Sequence, residues 1–314
     1  MKKTLLFSLL SLCIGGANAQ DPVFTQFHSS SLWLNPALTG NADAMRLSNN
    51  VRFQWPGISG YYNTQALSFD MPVLRDRLGA GFLFLHDNAA GVIHTYRFEV
   101  PVAVRLPMAR GRYVQIGVSP GLLYQHLNME KLLFGDMIDP RRGLIYPVGP
   151  LVINPDRYSF DLSAGVSFAF DRLLGGFSAS HLARPRSGYF GDSRQPVHYA
   201  LHAAAILGKI PDEFPNSLTV VPAVQYHAED NFRMLHGGIT FMFNHFSLGL
   251  SYRESDAAIG TVGYRAKRFR VGYSYDYTIS KLTNVTGGAH ELAVQYVFRK
   301  KETVPGEPAF LDGF

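Results

Sequence analysis

Apolar and polar residues alternate with a period of two through most of this chain. Over 158–170, Tyr158, Phe160, Leu162, Ala164, Val166, Phe168 and Phe170 fall on one face, and Ser159, Asp161, Ser163, Gly165, Ser167 and Ala169 on the other. Over 92–106, Val92, His94, Tyr96, Phe98, Val100, Val102, Val104 and Leu106 oppose Thr95, Arg97, Glu99 and Arg105. Over 269–277, Phe269, Val271, Tyr273, Tyr275 and Tyr277 oppose Arg270, Gly272, Ser274 and Asp276. Successive side chains of a strand point to opposite faces, so each segment predicts a strand with one apolar and one polar surface. A soluble sandwich alternates too, and strand length separates the two cases. The run over 92–106 is longer than the roughly 5–6 residues of an ordinary strand. It exceeds the ~9–11 residues that a tilted strand needs to cross a bilayer. Phe and Tyr gather near the ends of the apolar faces, as an interfacial girdle requires, and the polar faces carry charges and small residues suited to a lumen.

The pattern predicts strands at 44–54, 61–72, 78–87, 91–106, 112–128, 157–171, 173–182, 196–208, 216–228, 231–243, 245–254, 256–266, 268–278 and 288–299. Fourteen antiparallel strands close a transmembrane β-barrel, an all-β fold, with both termini on one side. Closure removes the sheet edges that lipid cannot satisfy. With the N-terminus in the periplasm, the two longest connections, 129–156 and 183–195, fall outside the cell. Short inner turns and long outer loops are the asymmetry expected of an outer-membrane barrel. Residues 20–43 are expected to form a periplasmic or lumen-tucked arm, 44–299 the barrel, and 300–314 a short periplasmic tail.

Composition agrees. The 314 residues have a mean hydropathy of zero, and 23 Phe, 16 Tyr and 30 Gly favour short, punctuated strands over helices. No segment after the leader has 18 consecutive apolar residues, so spanning helices are not expected. Residues 1–19 read as a signal peptide: Lys2 and Lys3 precede an apolar run from Leu5 to Ile14, and Ala17-Asn18-Ala19 is an A-x-A cleavage site. Cleavage would remove Cys13, the one cysteine, and lower the formal charge from +5 to +3. That mild excess over a chain without like-charge blocks describes a mixed solvated surface, not a nucleic-acid patch.

Candidate chemistry is sparse. Gly117-Val118-Ser119-Pro120-Gly121 matches G-x-S-x-G, but a nucleophile elbow needs a strand, a turn and then a helix, and Pro120 opposes the helix. His198 and His202 would share a metal on a helix; on a strand they stand ~13 Å apart along one face. Asp136 and Asp139 lack the further carboxylates of a calcium loop and suit turn capping better. His227 and Asp230 lie near an outer turn with nothing evident converging on them. No catalytic group, cofactor or metal site is expected, so the chain reads as a non-enzyme.

Several stretches, in order along the chain, resemble the PorP/SprF family of type IX secretion system membrane proteins of Bacteroidota. They are Gln20-Asp21-Pro22-Val23-Phe24-Thr25-Gln26-Phe27 and Leu34-Asn35-Pro36-Ala37; Arg52-Phe53-Gln54-Trp55-Pro56-Gly57 and Thr64 to Pro72; Phe134 to Pro140; His181-Leu182 and His202; Tyr273 to Tyr277; and Gly287 to Leu292. The stretch around Arg184 and Arg186 departs from the pattern. The resemblance implies an outer-membrane protein, without chemistry of its own, that supports secretion, surface anchoring of a large adhesin, or gliding. Its partners would be type IX components on the periplasmic side, a secreted surface protein or adhesin on the outer side, and the lipid bilayer. Aromatic and arginine anchors dominate interfaces, so Trp33, Asn35, Pro36, Trp55, Asp136, Asp139, Arg141 and Arg142 are the expected partner-binding residues. The alternative is a channel or transporter for small solutes, distinguished by uptake measurements.

Overall fold

A computed structural model describes residues 21–298, apart from 43, 59, 75–76, 109–111, 133–137, 140, 142, 145–153, 190–191, 209–216 and 280–285. The expected signal peptide and C-terminal tail lie outside the described residues. The described chain is a closed barrel of fourteen wall strands. They are β1 (Arg46–Gln54), β2 (Tyr62–Val73), β3 (Leu78–Ala89), β4 (Ile93–Glu99, continued by Val102–Pro107), β5 (Tyr113–Leu127), β6 (Asp156–Phe170) and β7 (Leu173–Ser180). There follow β8 (His198–Ala205, continued by Leu207–Gly208), β9 (Leu218–Glu229), β10 (Phe232–Phe243), β11 (Phe246–Arg253), β12 (Ala257–Arg265), β13 (Phe269–Thr278) and β14 (Ala289–Val297). Neighbours pair antiparallel in sequence order, and β14 returns to β1 from Arg46↔Val297 to Gln54↔Ala289.

Two expected strands are each broken once. The strand expected over 91–106 has an interruption at Val100-Pro101, because Pro101 has no N–H for the ladder. The wall stays sealed there: Gly81 N–H donates to the Pro101 carbonyl at 3.0 Å, and Val100 N–H to that of Pro120 at 3.0 Å. The strand expected over 196–208 breaks at Ile206, which turns inward onto Tyr113, Ala169, Leu174, Val221 and Met242.

The period-two reading fixes the faces. Along β1, Arg46, Ser48, Asn50 and Arg52 are buried in the lumen, while Leu47, Asn49, Val51 and Phe53 face outward. The outer surface is apolar: Phe246, Leu122 and Leu250 are each more than 60% exposed, as side chains meant for lipid must be. Rings mark both rims, Phe69, Phe82, Tyr296 and Phe298 at one end and Tyr96, Tyr124 and Tyr158 stacked across β4, β5 and β6 towards the other. The long connections 128–155 and 181–197 leave the same end of the barrel, here the loop end. Both chain ends of the wall, Arg46 and Val297, lie at the opposite turn end.

Candidate functional site

The segment preceding β1 runs through the lumen and occupies much of it. It enters the description at Asp21 beside loop-end wall residues, descends through α1 (Ser31–Leu34) and a 3-10 turn (Pro36–Leu38), and reaches β1 at the turn end. A chain lying inside a polar-walled tube must find partners for its own N–H and C=O groups and for every wall charge it covers. Three groups of wall residues meet that demand among the described residues.

Nearest the loop end, the Asp21 carboxylate accepts from Gln195 Nε2 at 2.9 Å and lies 2.8 Å from His181 Nε2 and 3.5 Å from Arg97 Nη2. The other nitrogen of His181 lies 2.6 Å from Asp161, so the ring bridges arm and wall. His181 sits at φ 60° immediately after β7, a turned-in conformation that delivers the ring to the lumen. Burial alone would raise the Asp21 pKa, but His181 and then Arg97 outweigh it and hold the carboxyl well below the ordinary range.

In the second group, Thr25 and Gln26 donate their backbone N–H groups to Glu291 at 2.7 and 2.8 Å. The Thr25 hydroxyl accepts from Arg52 at 2.9 Å and Arg253 at 2.7 Å, and donates to Asp276. Arg52 also pairs with Asp276 at 2.7 Å and Glu291 at 3.3 Å. Every charge here is buried, and each is offset by an opposite charge plus a hydrogen bond with the arm, donated by the arginines and accepted by the carboxylates.

The third group secures the exit into β1. Arg46 pairs with Asp70 at 3.0 Å and donates to Ser31 and Asn41, while Gly40 N–H donates to Asp70 at 2.8 Å. Glycines in the wall let the arm backbone approach. A Cβ at Gly117 would lie 2.5 Å from Pro36 backbone atoms, and one at Gly79 1.9 Å from the Thr39 carbonyl oxygen.

Of the expected partner-binding residues, three lie within this plug. Trp33 packs on Phe24, Ala66, Leu83 and Leu85, donates Nε1–H to the Pro22 carbonyl at 2.9 Å, and has the Arg97 guanidinium 4.8 Å over its ring. Asn35 is fully buried, its amide donating to the Val166 and Phe177 carbonyls and its Oδ1 accepting from Ala37 N–H. Pro36 opens the 3-10 turn and accepts from the Thr39 hydroxyl at 2.8 Å. Trp55 is separate, at the loop-end rim, with φ 58°, its N–H on the Gly288 carbonyl and its ring edge-on to Tyr62. Arg141 is exposed in the turn of a small hairpin, Ile138–Asp139 with Gly143–Leu144. Asp136, Arg142 and the Asp139 side chain lie outside the described residues.

The G-x-S-x-G stretch is strand, not an elbow: Ser119 is buried in β5 and donates to Glu99 at 2.7 Å. His198 and His202 share the lumen face of β8. The expectation that nothing converges on His227 is corrected. Its ring lies 3.0 Å from His198 and 3.0 Å from Gln225, which continues to His236 and Ser251. Residues two apart on one strand and directly opposed on the next meet on one face, and no local motif marks that.

A family model described as "Type IX secretion system membrane protein PorP/SprF" matches residues 16–296. The chain belongs to the PorP/SprF family. No curated protein matches it. Among solved structures, the Pseudomonas putida toluene transporter TodX superposes with a TM-score of 0.53 at 10% identity, covering 85% of this chain and 93% of TodX. A Pseudomonas aeruginosa FadL homologue gives 0.45 at 14% identity over 86% and 94% of the two chains. The TodX likeness shows an outer-membrane type of barrel fold for this PorP/SprF-family chain and nothing of its cargo.

Proposed function

We propose that this PorP/SprF-family barrel is a non-enzymatic outer-membrane scaffold of the type IX secretion system in a Bacteroidota cell. On this reading it holds or hands over a secreted surface protein, such as a large adhesin, in adhesion or gliding. The loop end faces outward, where 128–155, 181–197 and Trp55 offer the docking surface, and the turn end meets the secretion machinery. Trp33, Asn35 and Pro36 then act as fasteners of the plug, and partners reach them only if the arm leaves the lumen. The observation that carries the reading is the plug itself. A lumen largely occupied by a tethered segment of the same chain suits a protein whose working surfaces are its rims. The test is surface proteomics of a deletion strain complemented with the full chain or with a version lacking 135–150. Loss of one large surface protein in the loop-deleted strain, with small-solute permeability unchanged, is expected. Unchanged surface proteins together with a defect in uptake of one class of solute would favour a channel instead.

A further inference from the structure

β6 and β7 differ in length, and the difference leaves a sheet edge open. β6 has 15 residues and β7 has 8. Their ladder ends at Ala164↔Ala179, because the chain after Ser180 turns in at His181, φ 60°, to reach Asp161 and Asp21. Beyond that point β6 still pairs with β5, as far as His126↔Asp156, but has no strand on its other side among the described residues. Roughly 9–11 residues of a tilted strand cross a bilayer. Counted from Phe170 they end near Phe160, so Asp156 to Ser159 stand beyond the hydrocarbon at the loop end. That placement is required, since an open edge is not tolerated in lipid.

Parity fixes which main-chain groups are left over. Leu127 N–H donates to the Pro155 carbonyl at 2.9 Å, so Pro155, Arg157, Ser159 and Asp161 bond to β5, and Asp156, Tyr158, Phe160 and Leu162 point the other way. The two ends of this row are closed locally. Asp156 N–H donates to Asn154 Oδ1 and Leu162 N–H to Asp161 Oδ1, and the Leu162 carbonyl accepts from Leu182 N–H. Between them, the N–H and C=O groups of Tyr158 and Phe160 have no partner among the described residues. Their side chains are 79% and 56% exposed, and the Tyr158 ring stacks on Tyr124 at 4.7 Å. A row of unpaired N–H and C=O groups on an ordered strand is a template for a further strand.

We propose that this edge receives an extended segment of the delivered surface protein as an added strand, hydrogen-bonded to Tyr158 and Phe160; the inference deepens the scaffold reading and rests on it. Main-chain bonds give such a contact its affinity. Selectivity comes from the side chains set beside Tyr158 and Phe160, which favours aromatic or β-branched residues at alternate positions of the segment. A second copy of this chain fits poorly. In the same membrane its β6 runs the same way, so two such edges cannot pair antiparallel, as neighbours in this wall do. A separate chain arriving outside the cell is under no such constraint.

The test compares two substitutions at one position. Phe160→Pro deletes the N–H on the open side and leaves the ladder to β5 whole, as proline on an edge allows. Phe160→Ala keeps that N–H and removes the ring. Each is expressed in the deletion strain beside the full chain, checked for heat-modifiable mobility and outer-membrane amount, and followed by surface proteomics. Tyr158→Pro, nearer the strand end, replaces Phe160→Pro if the latter lowers the amount of barrel. The proline variant is expected to retain about tenfold less of the surface protein that the deletion loses, the effect of one main-chain bond left unmade in a desolvated contact. Phe160→Ala should retain clearly more. In the purified full-length barrel, the amides of Tyr158 and Phe160 should exchange fast while those of Ser159 and Asp161 are protected. Full retention by the proline variant would overturn the added strand and leave the scaffold reading standing, whereas unchanged surface proteins in the deletion strain would overturn both. Equal loss in Phe160→Ala would assign the contact to the ring and overturn it too. So would protected Tyr158 and Phe160 amides in the purified barrel, which would mean that the chain itself or a second copy covers the edge.

Discussion

Arg52 on β1 and Asp276 on β13 meet at 2.7 Å although β14 lies between their strands. The pair spans the lumen face of three strands, and the Thr25 hydroxyl of the arm bonds to both members. Plug and wall therefore share one buried network, which makes the arm part of the folded barrel.

The first prediction follows from Thr25. Thr25→Val keeps the side-chain shape and removes the hydroxyl that Arg52, Arg253 and Asp276 all use. Leaving such buried charged groups under-bonded costs ~1–3 kcal/mol. Hydrogen exchange over residues 21–40 should quicken while β5 and β6 exchange as before. Unchanged arm protection would show that the hydroxyl is dispensable.

Gly117 tests the close approach. Gly117→Leu sets a side chain against the Pro36 backbone, which lies 2.5 Å from the position of a Cβ. The wall hydrogen bonds of β5 need no glycine, so the barrel should form and the turn at Asn35–Ala37 should be displaced. Protease sensitivity near Trp33, with normal heat-modifiable mobility, is the expected result. A fully protected arm would contradict the packing.

Leu122 reports on the outer face. It is 64% exposed and lies mid-strand on β5, flanked by Phe98 and Phe160. Leu122→Arg puts a charge against hydrocarbon at a cost of ~2–4 kcal/mol. Denaturant midpoints in lipid vesicles should fall accordingly. Ser163→Ala on the lumen face of β6 should change them little.

Asp21 sets the pH dependence of the arm's loop-end anchor. Its carboxyl is held below the ordinary 3.8 by His181 and Arg97 despite burial. A depressed native pKa gives stability that is fully present above the unfolded value and is lost as pH falls through the folded one. Protection of the amides at residues 21–25, taken relative to their intrinsic exchange rate at each pH, should therefore stay constant from pH 7 to about pH 4 and fall only below that. Asp21→Asn should release the segment at neutral pH. Loosening that begins near pH 6 would point to another group.

Strand number, strand faces and barrel class were legible in the sequence because lipid outside and polar groups inside impose a period of two, residue by residue. The same parity placed Arg97, Glu99, Asp161 and Asp276 on the inner face. Thr64 to Pro72, with Asp70, and Gly287 to Leu292, with Glu291, were visible only as family-like stretches. Their roles came from the tertiary structure, which sets Asp276 and Glu291 beside Arg52 and Thr25, some 250 residues away in sequence for Thr25. Local pattern cannot report such pairings, because the contacts depend on how strands are ordered round the barrel. The same holds for Trp33, Asn35 and Pro36. Their residue types suggest an interface equally well whether the partner is another protein or the protein's own wall. Only the path of the arm through the lumen decided that they face inward.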